Sequence, residues 1–226
     1  KKVTETEKVS LVNNVFTSVT KNYDLMNDLM SFGLHRSWKR YFLLCSQIKK
    51  GDKVLDLAAG TGDITRLISN TVGDSGKVVS CDINYSMLSQ GRDNLIDKGV
   101  LDNVLYVQSD AQSLSFEENS FNHVTMAFGL RNTANISKAL KSIYRALKPG
   151  GSLQVLEFSK AEKIIEKPYS LFLNNFIPFL GKHVARDEES YKYLAESIKM
   201  HPSQKELIEI MQENNFQNCK YNNLSL

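Results

Sequence analysis

Val54-Leu55-Asp56-Leu57-Ala58-Ala59-Gly60-Thr61-Gly62-Asp63 decides the fold. Apolar residues interrupted by one acid run straight into a turn of small residues, and a helical pattern follows. That is how a first β-strand hands over to a first helix in a nucleotide-binding α/β domain. Gly60 and Gly62 let the backbone pass close to a ligand, and the free N–H groups that open the next helix favour negative charge. A tight strand-to-helix turn without a ligand is the other reading of the same residues.

Spacing narrows the ligand. A dinucleotide fingerprint needs a third glycine where Thr65 stands, and a phosphate-cradling P-loop needs Gly-Lys-Ser/Thr where Gly62 is followed by Asp63-Ile64. Asp63 is a poor neighbour for pyrophosphate and a tolerable one for the ammonium and sulfonium of S-adenosylmethionine. The turn therefore favours S-adenosylmethionine over NAD or ATP. Asp82 closes the second strand pattern, 22 positions after Gly60. A carboxylate there accepts both ribose hydroxyls of an adenosine cofactor, or else caps a helix opening near Ser86. Asp110, after the third strand pattern, either accepts from an adenine amino group or caps a turn. Asp56 either holds the loop or receives the cofactor's ammonium.

Around this stretch, strand patterns over residues 53–57, 76–82, 103–108, 121–128 and 152–158 alternate with helical patterns over 63–70, 85–98 and 135–147. Repeated β-α units predict an α/β fold: a central, mostly parallel sheet flanked by helices, with right-handed crossovers. Lys148-Pro149-Gly150-Gly151 stops a helix and turns into the fifth strand. The chain reads as one domain over 1–226, with a helical N-terminal cap (1–50), a cofactor-binding core (51–159), a helical insert (160–200), and a terminal helix and strand (201–226). Trp38, Tyr41, Phe42 and Leu44 are expected to form the amphipathic stripe of the cap. A last helix is expected over 203–214 and a terminal strand near 216–224.

Composition excludes several classes. Hydrophobic residues make up 42% and charged residues 23%, which suits a soluble globular chain, and the net charge of +3 is too small to imply nucleic acid. No apolar run is long enough to span a bilayer; the most apolar segment, 171–180, is short and broken by Pro178. Cys45, Cys81 and Cys219 match neither a disulfide framework nor metal-ligand spacing, and with His35, His123, His183 and His201 they form no metal motif. A cytoplasmic, reducing location is expected. His35 and His123 are candidate bases, although a hydrogen-bonded structural role is the commoner one for a lone histidine.

Two longer signatures add a resemblance. Tyr23-Asp24-Leu25-Met26-Asn27-Asp28-Leu29-Met30-Ser31-Phe32-Gly33-Leu34-His35-Arg36-Ser37-Trp38-Lys39 and Phe128-Gly129-Leu130-Arg131-Asn132 resemble the ubiquinone/menaquinone C-methyltransferases, a branch of the class I, Rossmann-like methyltransferases. Leu156–Lys160 and Ser190–Ile198 extend the likeness over nearly the whole chain. Ala58 replaces the first glycine of the usual acid-x-Gly-x-Gly-x-Gly loop, a change expected to be tolerated at negative φ. Members usually extend one strand further than Asn223-Leu224-Ser225-Leu226, so the last sheet strand is expected to be absent or disordered.

The resemblance implies methyl transfer from S-adenosylmethionine to a ring carbon of a polyprenylated quinol, either demethylmenaquinol or 2-polyprenyl-6-methoxy-1,4-benzoquinol. It implies cofactor contacts at Thr61, Asp82, Asp110, Ala111 and Ala127, where many relatives carry serine at the last. It also implies peripheral contact with a membrane or a quinone-synthesis complex, and leaves a homodimer through 160–200 open. Chemistry argues for the polar end of the site. A quinol carbon becomes nucleophilic when its neighbouring hydroxyl loses a proton, and Arg131 is suited to stabilise the developing phenolate. It stays protonated and is a poor base. Asn132 and Tyr23 are placed to orient the ring or a proton-relaying water. A different small-molecule or sterol methyltransferase, and a non-catalytic cofactor-binding scaffold, are the rival readings.

Overall fold

The computed structural model describes residues 4–20, 23–31, 33–100, 102–159 and 188–224. Three N-terminal helices, α1 (Glu5–Val19), α2 (Tyr23–Ser31) and α3 (His35–Leu44), precede the core. The core runs β1 (Lys53–Leu57), α4 (Asp63–Val72), β2 (Lys77–Asp82), α5 (Tyr85–Asp97), β3 (Val104–Gln108), β4 (Phe121–Ala127), α6 (Ile136–Ala146) and β5 (Leu147–Leu156). Helices α7 (Glu188–Met200) and α8 (Gln204–Glu213) follow. The described strands form one sheet in the order β3-β2-β1-β4-β5, and every pairing is parallel. The sequence reversal beside β1 opens a crevice above the strand ends, where open α/β sheets take ligands.

Alternation along β1 sorts its side chains between two cores. Leu55 and Leu57 join Val79, Cys81, Phe121, Val124 and Met126 on one side, closed by Ile143 of α6. Val54 joins Phe42, Ile64, Ile68, Val72, Val78 and Leu95 on the other, under α3, α4 and α5. Helix α6 buries Ala139, Leu140, Ile143 and Ala146 at three- and four-residue spacing, and full burial of each large side chain contributes about 2 kcal/mol. Asn84 and Asn135 start α5 and α6 by accepting from the backbone N–H of Met87 and Lys138. Thr4 and Ser203 start α1 and α8 with capping boxes.

The structure corrects three expectations. First, β5 pairs from Leu147, and Lys148-Pro149-Gly150-Gly151 forms an irregularity between the Phe121↔Leu147 and His123↔Ser152 pairs rather than a turn before the strand. Second, residues 216–224 contain no strand: Asn218 adopts φ +54°, which breaks extension. Third, α3 buries His35, Lys39 and Phe42, whereas Tyr41 and Leu44 point outward, Leu44 being 82% exposed. Helix α7 occupies 188–200 of the expected insert; residues 160–187, including the apolar segment 171–180, lie outside the described residues. Among the described residues no helix is long and apolar enough to cross a membrane.

Candidate functional site

A cavity opens above the C-terminal ends of β1, β2 and β4. Its floor is the turn after β1. Gly60 sits at φ +54°, and a Cβ there would press on Met87 Cε at 3.3 Å. Gly62 sits at φ +85°, and a Cβ there would collide with Leu95 Cδ1 at 2.2 Å. Both glycines are required, but for different reasons: Gly60 lines the cavity, while Gly62 lets α5 pack behind the loop. Ala58 also adopts φ +52°, so the condition under which its methyl group was expected to be tolerated, a negative φ, is not met. The chain holds an alanine in glycine's conformation, a strain of order 1 kcal/mol.

Asp82 is the acidic pole of the cavity. Its Oδ2 accepts from the Gly60 N–H at 2.9 Å and its Oδ1 from the Asn84 N–H at 2.8 Å. Burial raises its pKa, opposed by these backbone bonds. The Ile83 backbone bonds it as well, and a carboxylate, with about four acceptor sites, keeps capacity for a ligand hydroxyl. Asn84, not Asp82, caps α5, which removes the rival reading of Asp82. Asp110 lines the same cavity with Ala111, and it also caps a short 3₁₀ turn by accepting from the Gln112 N–H at 2.9 Å. Both of its expected roles are therefore compatible. The same wall carries apolar side chains, Leu57, Met87, Met126 and Phe128. Acidic acceptors and apolar lining in one cavity fit an adenosine-bearing cofactor.

Asp56 is not on the cavity wall. It is buried beneath the loop, where Oδ2 accepts from Thr65 Oγ1 at 2.6 Å and Oδ1 from Thr125 Oγ1 at 2.8 Å. Burial pushes its carboxyl up to about 6, against the pull of the two hydroxyls. Of its two expected roles, these contacts are those of a residue that holds the loop. Asp63 pairs with Lys39 Nζ at 2.9 Å rather than facing the cavity. Thr61 is buried off the wall, and Ala127 packs against the core beneath α3. Neither side chain meets the cavity.

The same wall carries two of the residues expected to handle the acceptor. Tyr23 and Asn132 line the wall. Arg131 does not. Its guanidinium is buried, forms a short ion pair with Glu157, donates to the Phe128 carbonyl at 2.8 Å, and lies over the Phe158 ring. Asn132 Nδ2 donates to the same carbonyl at 3.3 Å. His35 pairs with Asp28, and His123 contacts Ser152 and Asp52 near the start of β1, so both histidines are structural.

The sequence predicted a helical cap over 1–50 but not which of its residues reach the cavity. Helix α1 supplies Val9, Val12, Asn13 and Phe16 to the cavity. Asn84 Nδ2 donates to Asn13 and Thr17, and Lys8 Nζ donates to the carbonyls of Thr133 and Arg131. Glu157 as the partner of Arg131, Gln112 as the partner of Asp110 and Tyr193 beside Asn132 were also missed. The only signals available were an apolar period in 9–16 and the polar residues flanking the quoted signatures.

Comparison with known proteins agrees with this geometry. The ubiE/COQ5 methyltransferase family matches residues 1–226. The ubiquinone/menaquinone biosynthesis C-methyltransferase UbiE of Pseudoalteromonas translucida (strain TAC 125) is 53% identical over 226 residues, covering 100% of this chain and 90% of the relative. That of Haemophilus ducreyi is 53% identical over 100% of this chain and 87% of the relative. Among solved structures, a SAM dependent methyltransferase from Aquifex aeolicus superposes with a TM-score of 0.61 at 20% identity, covering 88% of each chain, which supports the fold. The chain belongs to the ubiE/COQ5 methyltransferase family.

Proposed function

We propose that the protein transfers a methyl group from S-adenosylmethionine to a ring carbon of a polyprenylated quinol in respiratory quinone synthesis. The observation that carries this reading is one cavity whose wall holds the Asp82 carboxylate together with Tyr23 and Asn132, with Asp82 and Tyr23 both set against Gly60. Bound S-adenosylmethionine would supply an electrophilic methyl on a sulfonium.

Asp82 would take the ribose hydroxyls, and Asp110 with Ala111 the adenine edge. Gly60 keeps the floor low enough for the cofactor, and Asp56 beneath it holds the turn through Thr65 and Thr125. Thr61, Gly62 and Ala127 would support the site through backbone and packing. Asn132 and Tyr23 would orient the quinol hydroxyl, or the water that removes its proton, so that the ring carbon faces the methyl group. Arg131 acts from behind the wall: by gripping the Phe128 carbonyl and Glu157 it fixes the turn that presents Asn132. Helix α1 excludes water above them.

A lipid-soluble substrate also implies peripheral work at the cytoplasmic face of a membrane, alone or in a quinone-synthesis complex. The outward Tyr41 and Leu44 beside Arg40 on α3 are compatible with such contact. A pairing of two copies through residues 160–200 belongs to the same reading. Mass spectrometry of quinones from cells lacking the protein tests the substrate. A demethylated naphthoquinol or benzoquinol should accumulate, and an unchanged quinone profile would contradict the reading.

A further inference from the structure

Tyr193 of α7 reaches the cavity residue Asn132 without lining the cavity itself. Its hydroxyl lies 3.2 Å from Asn132 Oδ1, and its ring packs on Val12 and Val15 of the α1 lid. The direction of that bond follows from its neighbour. The Phe128 carbonyl only accepts, so it holds the Asn132 Nδ2 on its own side and turns Oδ1 toward Tyr193. Tyr193 must then be the donor. The 3₁₀ turn Leu130–Asn132 is gripped from two further directions. Lys8 binds the carbonyls of Arg131 and Thr133, and Glu157 binds the Arg131 backbone N–H and guanidinium. The remaining freedom is rotation of the Asn132 amide, and Tyr193 removes it.

We propose that Tyr193 is a positioning residue for the methyl acceptor: by donating to Asn132 Oδ1 it fixes the amide so that an Asn132 N–H faces the cavity and the acceptor's oxygen. This rests on the methyl-transfer reading above. A donor directed at that oxygen favours the charged form that makes the ring carbon nucleophilic. Burial pushes the Tyr193 phenol up to about 12, so it keeps its proton and its role as donor throughout the neutral range. The bond also ties acceptor orientation to the lid, because the same side chain packs against α1.

The experiment compares wild type, Tyr193→Phe, Asn132→Ala and the double variant, with S-adenosylmethionine and a short-chain demethylmenaquinol. Phe keeps the ring against Val12 and Val15 and loses only the hydroxyl. Tyr193→Phe should lower kcat roughly tenfold, as the loss of one such hydrogen bond implies. Cofactor affinity by calorimetry and the melting midpoint should stay unchanged. In the Asn132→Ala background the same change should have no further effect, because Tyr193 acts through Asn132. Three results overturn the role: kcat within twofold of wild type, losses that multiply in the double variant, or a parallel fall in cofactor affinity and melting midpoint, which marks a structural residue. A wild type inactive on both this acceptor and a short-chain 2-prenyl-6-methoxy-1,4-benzoquinol is a separate result, visible before any variant is compared; it overturns the methyl-transfer reading and this role with it.

Discussion

At the scale of single residues, three aspartates of one region are set to different tasks by what surrounds them. Asp82 lines the cavity and is held there by backbone N–H groups, whereas Asp56 gives its two oxygens to threonines and Asp63 pairs with a buried lysine. Asp82→Ala should therefore raise the dissociation constant for S-adenosylmethionine by about 100-fold or more, the loss of two charge-assisted bonds. Calorimetry checks this, and unchanged affinity would reject the ribose assignment. Asp56 predicts a pH effect instead. Its folded-state pKa of about 6 exceeds the ordinary carboxylate value, so between about pH 4 and 6 the folded chain holds a proton that the unfolded chain has released. Its contribution to stability is present at the acid end and is lost as pH rises through 6, by about 3 kcal/mol in all. Urea denaturation of Asp56→Asn should show the variant gaining on wild type by that amount from pH 4 to 7. At Ala58 the sequence showed the departure from the glycine pattern, but the positive φ is visible only in three dimensions. Ala58→Gly should raise stability by roughly 0.5–1 kcal/mol by removing that strain.

Among elements, the glycine loop and α5 are fitted to one another. Gly91 faces the loop so closely that a Cβ would lie 2.5 Å from the Gly60 carbonyl oxygen. Alanine is the better helix former by about 1 kcal/mol, yet Gly91→Ala should destabilise the protein by about 1–3 kcal/mol through overpacking, measured by chemical denaturation. A stabilised variant would show that α5 can retreat from the loop without cost. The lid makes a second prediction at this scale. Asn84 caps α5 and donates to Asn13 and Thr17 of α1. Asn84→Ala should speed S-adenosylmethionine release by roughly tenfold in stopped-flow measurements, the effect of losing net hydrogen bonding of about 1–2 kcal/mol. Unaltered release would mean that α1 does not gate the cavity.

For the molecule as a whole, the parallel core was legible because its signals are local and periodic. Gly60, Gly62 and Asp82 announced the crevice, and α6 announced its buried face at Leu140 and Ile143. Three kinds of feature were not legible. The placement of Arg131 depends on Glu157, which lies on a different segment of chain. Which residues of the expected cap face the cavity depends on bonds that join Lys8 to Thr133 and Asn13 to Asn84. The loss of a strand over 216–224 depends on Asn218 adopting a left-handed conformation that polar composition alone does not announce. Each is a tertiary contact or a backbone choice, and sequence periodicity records neither.

The central claim is that this cavity places a methyl group on a ring carbon. Purified protein incubated with S-adenosylmethionine carrying a ¹³C-labelled methyl group and a short-chain demethylated quinol should give a product whose label appears in the aryl-methyl region of the ¹³C NMR spectrum. Label found as a methoxy group, or no labelled quinol at all, would contradict the account.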